Sequence, residues 1–171
     1  MARKSRQVET RMISEYLKLY YSSFSYIMDC PLGRVSEDLQ RQVGYKQALG
    51  ISRPFRPIVD AVVILPRHLL IIEAKVWQVV QGLGKLPLYA SLVPLTPELQ
   101  EYQPREVIMQ LVVGWTNTNL EVMANSQNVS VKVYSPAWLS EVVESMHKYW
   151  TKPYQEERQA KLRMRQALGL D

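Results

Sequence analysis

Two carboxylates and an amine stand at the ends of two short apolar runs. Asp60 opens the run 61–65, and Glu73 and Lys75 follow the run 69–72. Asp and Glu can hold a hard divalent cation through oxygen. A cation so held polarises a phosphate and brings the pKa of a bound water toward neutrality. A neighbouring lysine can orient that water or neutralise charge developing on phosphoryl oxygens. These are the residue types that metal-dependent phosphodiester hydrolysis requires.

Both runs are rich in branched side chains and read as strands. Pro66, Arg67 and His68 are the only interruption, so a hairpin is the economical reading. Glu73 and Lys75 are two apart and share one strand face. A turn at Arg67 and His68 sets Asp60 opposite Lys75, whereas a turn at Pro66 and Arg67 sets it opposite Glu73. Either way the three side chains share a face. Taken singly, Glu-x-Lys at a strand end is commonly a solvated pair, and an Asp before a strand is commonly a turn residue. The joint spacing across two apolar strands favours a site.

The arrangement resembles the PD-(D/E)XK nuclease superfamily, whose signature is an Asp, a short gap, then Glu-x-Lys on the next strand. The resemblance implies that Asp60 and Glu73 are metal ligands, helped by the backbone carbonyl of Ala74, and that Lys75 is the catalytic lysine. It implies magnesium as the cofactor, with manganese able to substitute. It also implies an α/β (α+β) fold, a mixed central β-sheet flanked by helices in a restriction-endonuclease-like core, over roughly residues 6–150. Members often carry a Glu on the first helix that faces the metal. Val8, Met12, Ile13, Tyr16, Leu17 and Tyr20 predict a helix over 6–22. At about 100° per residue Glu9 falls near the middle of that apolar stripe and Glu15 at its edge, so Glu9 is the better match. As a first-turn acid favoured by the helix dipole, Glu9 has an ordinary explanation too.

Many relatives, among them phage exonucleases, follow the Glu-x-Lys strand with a helix bearing Gln-x-x-x-Tyr. Lys85 and Tyr89 keep that spacing with Lys in place of Gln, a departure from the exonuclease-type pattern. Pro87 suits a first helical turn, which predicts a helix starting near Leu86 with Lys85 at its mouth, able to meet a phosphate. Tyr89 is then either a packed core aromatic or a neighbour of the substrate. Arg53 and Arg56, just ahead of the strand carrying Asp60, can hold a nucleic-acid backbone or serve as ordinary surface arginines.

The remaining elements complete the order. Residues 23–34 read as a loop or short strand, and 35–49 as a short polar helix ending at Gly50. Residues 106–114 read as a central strand, 117–127 as a short helix and 129–134 as a further strand. Pro136 opens a helix to about Trp150, with Leu139, Val142, Val143 and Met146 on one face. Beyond it lie Lys148, Lys152, Arg158, Lys161, Arg163 and Arg165 against Glu156 and Glu157. Arg158, Lys161 and Arg165 share a helical face that fits a phosphate backbone, a partner protein or plain solvent. Leu162, Met164, Ala167 and Leu168 add apolar surface that DNA has no use for, which favours docking on a partner or on a second copy.

Composition bounds the class. A chain of 171 residues, 47% hydrophobic, is long enough for one domain with its own core. Lys and Arg number 21 against 16 Asp and Glu, compatible with a polyanionic partner. No apolar run approaches the length of about 18 residues that a membrane span needs, so no membrane partner is expected. The start lacks the apolar stretch of a secretory signal, and a cytoplasmic location is expected, or a virion-associated one for a phage-encoded protein. Cys30 is the only cysteine, which excludes an intrachain disulfide; two histidines, His68 and His147, give a zinc or histidine-based site little material.

The sequence thus reads as a nuclease-like domain over 1–150 with a basic helical tail over 151–171, a small magnesium-dependent DNA nuclease. A non-catalytic nucleic-acid-binding or virion structural protein that keeps the fold is the alternative; an unrelated α/β domain with incidental hairpin charges is a third. Lys75→Ala is expected to remove most cleavage while leaving metal and DNA binding largely intact, because it deletes transition-state assistance but no ligand. Asp60→Asn and Glu73→Gln are expected to weaken manganese binding as well, measured by calorimetric titration.

Overall fold

The two apolar runs form the hairpin they predict. β2 (Ile58–Ile64) and β3 (His68–Lys75) pair antiparallel, with Ala61 opposite Ile72 and Ile64 opposite Leu69. Leu65 N–H donates to His68 O at 3.0 Å, so Pro66 and Arg67 make the turn. The computed structural model describes residues 2–147 and 152–167. Trp150, Lys148 and Leu168, which mark the expected helix end and part of the tail, lie outside the described residues.

β1 (Ser25–Pro31) pairs antiparallel with β2, so the short-strand reading of 23–34 holds. β4 (Glu106–Val113) lies parallel to β3, and β5 (Val129–Val133) parallel to β4. The five strands stand in the order β1-β2-β3-β4-β5, one mixed sheet flanked by helices. Parallel neighbours need a crossover rather than a tight turn. Here α4 (Val79–Leu92) joins β3 to β4, and α5 (Thr118–Ser126) joins β4 to β5. The Asn117 side chain caps α5 by accepting Leu120 N–H at 2.9 Å.

Alternation along β3 divides the molecule into two layers of packing. Leu69, Ile71, Glu73 and Lys75 share one face, where α4 lays Leu83, Leu86 and Tyr89 against Leu111 and Val113. Leu70, Ile72 and Ala74 face the other way, toward α1 (Ala2–Tyr20), which buries Met12, Ile13, Tyr16 and Leu17. Gln110 also points to the α1 side: its Nε2 donates to the Tyr16 hydroxyl at 2.6 Å, and its Oε1 accepts from the Tyr21 hydroxyl at 3.2 Å. Four hydrogen-bonding groups thereby satisfy one another inside an apolar layer.

Two elements differ from their sequence expectations. The polar helix expected over 35–49 is two helices, α2 (Glu37–Val43) and α3 (Tyr45–Ser52), parted by Gly44 at φ 81. A left-handed residue ends a helix, and glycine takes that conformation without steric penalty. α4 begins at Val79 rather than near Leu86, with Pro87 inside it. An interior proline costs about 3 kcal/mol. Full burial of Leu83 and Leu86, at about 1.5–3 kcal/mol each, offsets that cost.

Contacts divide the chain into one unit over Met1–Tyr134, which holds the whole sheet, and a second over Ser135–Asp171. The second unit begins ahead of α6 (Ala137–His147). The second unit also holds α7 (Lys152–Ala167), whose side chains from Glu156 to Gln166 are all exposed, Leu162 and Met164 among them. Among the described residues no helix is long and apolar enough to cross a membrane.

Arg56 proves to be part of the frame. Its guanidinium is buried and binds Glu98 through two nitrogens, each at 2.7 Å. Its Nη2 also donates to Pro31 O at 2.9 Å and its Nε to Leu32 O at 3.3 Å. The expectation that Arg56 holds a nucleic-acid backbone gives way to this role, since its donors are committed to the end of β1 and to the 3-10 turn Pro97–Tyr102. Arg56→Ala is expected to destabilise the fold by about 3 kcal/mol, read from the urea midpoint, because it leaves a half-buried Glu98 and two carbonyls unpaired.

Candidate active site

The register of the hairpin decides what meets at its open end. Continuing from the Ala61–Ile72 pair, Asp60 falls opposite Glu73, the second of the two arrangements the sequence allows. The ladder itself stops at that pair. Beyond it the Asp60 carboxylate takes over, Oδ2 accepting the Ala74 N–H at 2.8 Å. Glu9 arrives from the other face of the sheet, carried by α1. It reaches over the end of β3, where Oε1 accepts the Val76 N–H at 3.2 Å. The helical projection that prefers Glu9 to Glu15 agrees with this placement; Glu15 instead pairs with Arg11 and accepts from the Tyr134 hydroxyl.

Lys75 stands among these carboxylates. Its Nζ lies 3.0 Å from Glu73 Oε1, 3.5 Å from Glu9 Oε2 and 3.7 Å from Asp60 Oδ2, and donates to Ala74 O at 3.0 Å. Burial alone would lower its pKa, but the charges of Asp60, Glu73 and Glu9 together raise it. The ammonium is therefore held charged. Glu73 shows the opposite balance: burial first, then the Asp60 charge, push its carboxyl up to about 7 despite two nearby lysines. Its Oε2 is buried without a hydrogen-bond partner among the described residues, a costly state for a carboxylate oxygen.

α4 roofs the cluster. A Cβ placed on Gly82 would meet Lys75 Cγ at 2.5 Å and Glu73 Cγ at 3.4 Å, so only glycine lets the helix lie this close. One turn on, Lys85 brings Nζ to 3.7 Å from Glu73 Oε1 while half exposed. Lys85 thus reaches the site from the second turn of α4, not from its mouth. Tyr89 is a packed core aromatic, yet it also feels the site. Burial, then the Glu73 and Asp60 charges, push its hydroxyl up to about 12. Of its two readings, the packed core aromatic is the one the fold shows, with the hydroxyl within electrostatic reach of Glu73 and Asp60.

Arg53 is exposed and donates from Nη2 to Asp29 O at 2.9 Å. Asp29 lies between the Met28–Ala61 and Cys30–Val59 pairs, hence beside Asp60, and takes a left-handed φ of 49. Arg6 Nη2 approaches its Oδ1 at 3.8 Å. Asp29 and Gly82 are the neighbours of the site that sequence reasoning does not single out. A glycine three residues before a lysine is the only trace of the second, and an Asp in an apolar strand the only trace of the first. The fold gathers Asp60, Glu73, Ala74, Lys75, Glu9, Lys85 and Tyr89, sets Arg53 near their edge and commits Arg56 elsewhere.

Among the described residues no three His, Cys, Asp or Glu side chains are grouped as a metal site, the Lys75 ammonium lying among the three carboxylates instead. The donors are nonetheless of the hard-cation kind: carboxylate oxygens, one backbone carbonyl, and no sulfur or imidazole. The unpartnered Glu73 Oε2 fits such a cation. No protein-family model and no curated protein matches the chain.

The Glu73 shift sets a pH dependence. An unfolded Glu loses its proton near 4.5, whereas Glu73 in the folded chain keeps it to about 7. Between these values the folded state binds the extra proton. Its stabilising share is thus fully present below 4.5 and is lost as pH rises through 7. Glu73→Gln, which mimics the protonated side chain, is expected to match the cation-free wild type in urea midpoint at pH 4 and to exceed it at pH 8. Equal midpoints at both pH values would contradict the assignment.

Proposed function

We propose that this chain is a divalent-cation-dependent nuclease that hydrolyses phosphodiester bonds in DNA, with magnesium as the working cation and manganese as a substitute. The observation that carries the proposal is the convergence of Glu9, Asp60, Glu73 and Lys75 at one end of the β2–β3 hairpin, with Glu73 Oε2 buried and unpartnered. The resemblance of Asp60 and Glu73-x-Lys75 to the PD-(D/E)XK pattern supports it, as does the mixed sheet flanked by helices. The site also lies at the carboxyl end of β3, in the parallel half of the sheet, the side on which open α/β sheets bind ligands.

Asp60, Glu73 and the Ala74 carbonyl would hold the cation, with Glu9 alongside. Such a cation would supply Lewis acidity toward the phosphate and toward a water beside it. The chain's own residues do the rest. The Lys75 ammonium neutralises charge building on the phosphoryl oxygens, a role worth about 10²–10³ in rate for a single well-placed donor. Lys85, half exposed beside Glu73, and Arg53, exposed near Asp60, hold the DNA backbone at the rim. Tyr89 and Gly82 fix the distance between α4 and the strand, which keeps Lys75 in position. The excess of basic over acidic residues, giving a formal net charge of +5, favours a polyanionic substrate.

Supercoiled plasmid incubated with the protein and magnesium is expected to be nicked, and to be spared when a chelator is present. Cleavage that persists in the chelator would contradict the cation-dependent mechanism. Intact plasmid under both conditions, with manganese tried in place of magnesium, would remove the nuclease reading.

A further inference from the structure

We infer that Lys75 is the internal counter-cation of this site: in the cation-free protein its ammonium is held by the same three carboxylates and carbonyl that would hold a divalent cation, so cation entry is an exchange in which Lys75 gives up its place among them. The inference rests on reading the site as a cation-dependent one. It also gives Lys75 a second task, distinct from assisting the reaction.

Four oxygens of three carboxylates and a carbonyl surround Nζ, at 3.0 Å from Glu73 Oε1 and Ala74 O, 3.5 Å from Glu9 Oε2 and 3.7 Å from Asp60 Oδ2. An ammonium has three donors and no acceptor, so this shell is about as many oxygens as it can use. The side chain is 14% exposed, which leaves little of its hydration in place. The same four residues are the donor set assigned above to the cation, and Glu73 Oε2, which the ammonium leaves unpaired, belongs to the carboxylate whose Oε1 it holds. Two positive centres cannot share that set at contact distance, since like charges a few ångströms apart in a poorly hydrated site repel strongly. A cation must therefore displace the ammonium, and the free energy holding Lys75 in place is subtracted from the affinity for the cation.

Lys85 provides the contrast. Its Nζ touches the same Glu73 Oε1 at 3.7 Å, but nearly half of its side chain is exposed and, among the described residues, no other carboxylate is paired with it. Water screens it, and it can withdraw without breaking a shell. General electrostatics would make both lysines matter similarly for cation binding, whereas exchange makes Lys75 dominant.

The expectation drawn from sequence alone, that losing Lys75 leaves metal binding largely intact, is replaced by an expected gain. Lys75→Met keeps an unbranched stem beneath Gly82, where Lys75 Cγ packs, and deletes only the charge. Calorimetric titration with manganese is expected to show at least tenfold tighter binding by Lys75→Met than by wild type, and less than threefold change for Lys85→Met. Manganese is also expected to raise the melting temperature of Lys75→Met by more than it raises that of wild type. Binding by Lys75→Met that is equal to or weaker than wild type overturns the inference, as does an equal gain in Lys85→Met. No binding by either wild type or Lys75→Met overturns it as well.

A second measurement uses the wild-type chain and does not depend on the variant folding. In protein labelled with ¹⁵N at lysine Nζ, the Lys75 resonance is expected to shift on addition of diamagnetic magnesium; a Lys75 signal unmoved at saturating magnesium overturns the exchange. Plasmid nicking by wild type is scored separately. Tighter binding by Lys75→Met without nicking by wild type upholds the exchange and removes the nuclease reading, whereas nicking without that gain does the reverse.

Discussion

The pairing of β2 with β3 sets the alignment of the sheet and of the charges at its end. Pro66 and Arg67 form the turn, and every partner along the hairpin follows from that choice. A slip of one residue would send Asp60 to the α1 face while Glu73 stayed on the α4 face. The same slip would move Val62 out of the core that α4 covers. Apolar burial and charge placement therefore select one register together. β3 then serves as the template for β4, pairing with it from His68–Glu106 through Lys75–Val113, so the parallel half of the sheet inherits the alignment.

Placing charge at the end of such a strand carries a penalty that the fold distributes. Glu73 is almost wholly buried, where an ionised carboxylate is costly even with cations beside it. Lys75 offsets part of the cost, and the raised pKa of Glu73 shows that a part remains uncompensated. Sites that bind or react often keep strain of this kind, with surrounding structure holding it in place. Here the surrounding structure is specific. Arg56 ties the end of β1 to Glu98, four positions before Asp60 begins its work, and α4 presses on Glu73 and Lys75 from above. The polar pair of Arg56 and Glu98 and the polar cluster at the hairpin lie on separate anchors, so the frame does not rely on the ionisation of the site.

Local rules made much of this legible. Period-two alternation put Glu73 and Lys75 on one face, and helical periodicity singled out Glu9 from Glu15. Both depend only on backbone geometry, which a sequence carries directly. What stayed hidden depends on contacts made across long separations. The partner of Arg56 lies at Glu98, with a strand hairpin and a helix between them, so nothing near Arg56 marks it as buried. The start of α4 was obscured because proline statistics are local, while the burial that outweighs Pro87 comes from β3 and β4. By residue type either Gly44 or Gly50 can end a helix, and only the backbone φ shows that the break falls at Gly44. Asp29 was invisible for a similar reason, its left-handed backbone being a property of the chain path and not of the residue type.

Gly82 has a consequence for how such sites are sought. Glu-x-Lys is too frequent a tripeptide to discriminate, and an Asp at variable distance adds little. The close approach of α4 to β3 ties a third position to the pair, because the first helical turns after the strand must pass directly over Glu73 and Lys75. A glycine seven residues after the lysine, followed three residues later by a basic side chain, is the linear shadow of that packing. Pattern searches built on carboxylates and lysine alone discard this steric term. With glycine at that position the helix can lie over the pair, whereas any larger side chain would have to lift it off Glu73 and Lys75.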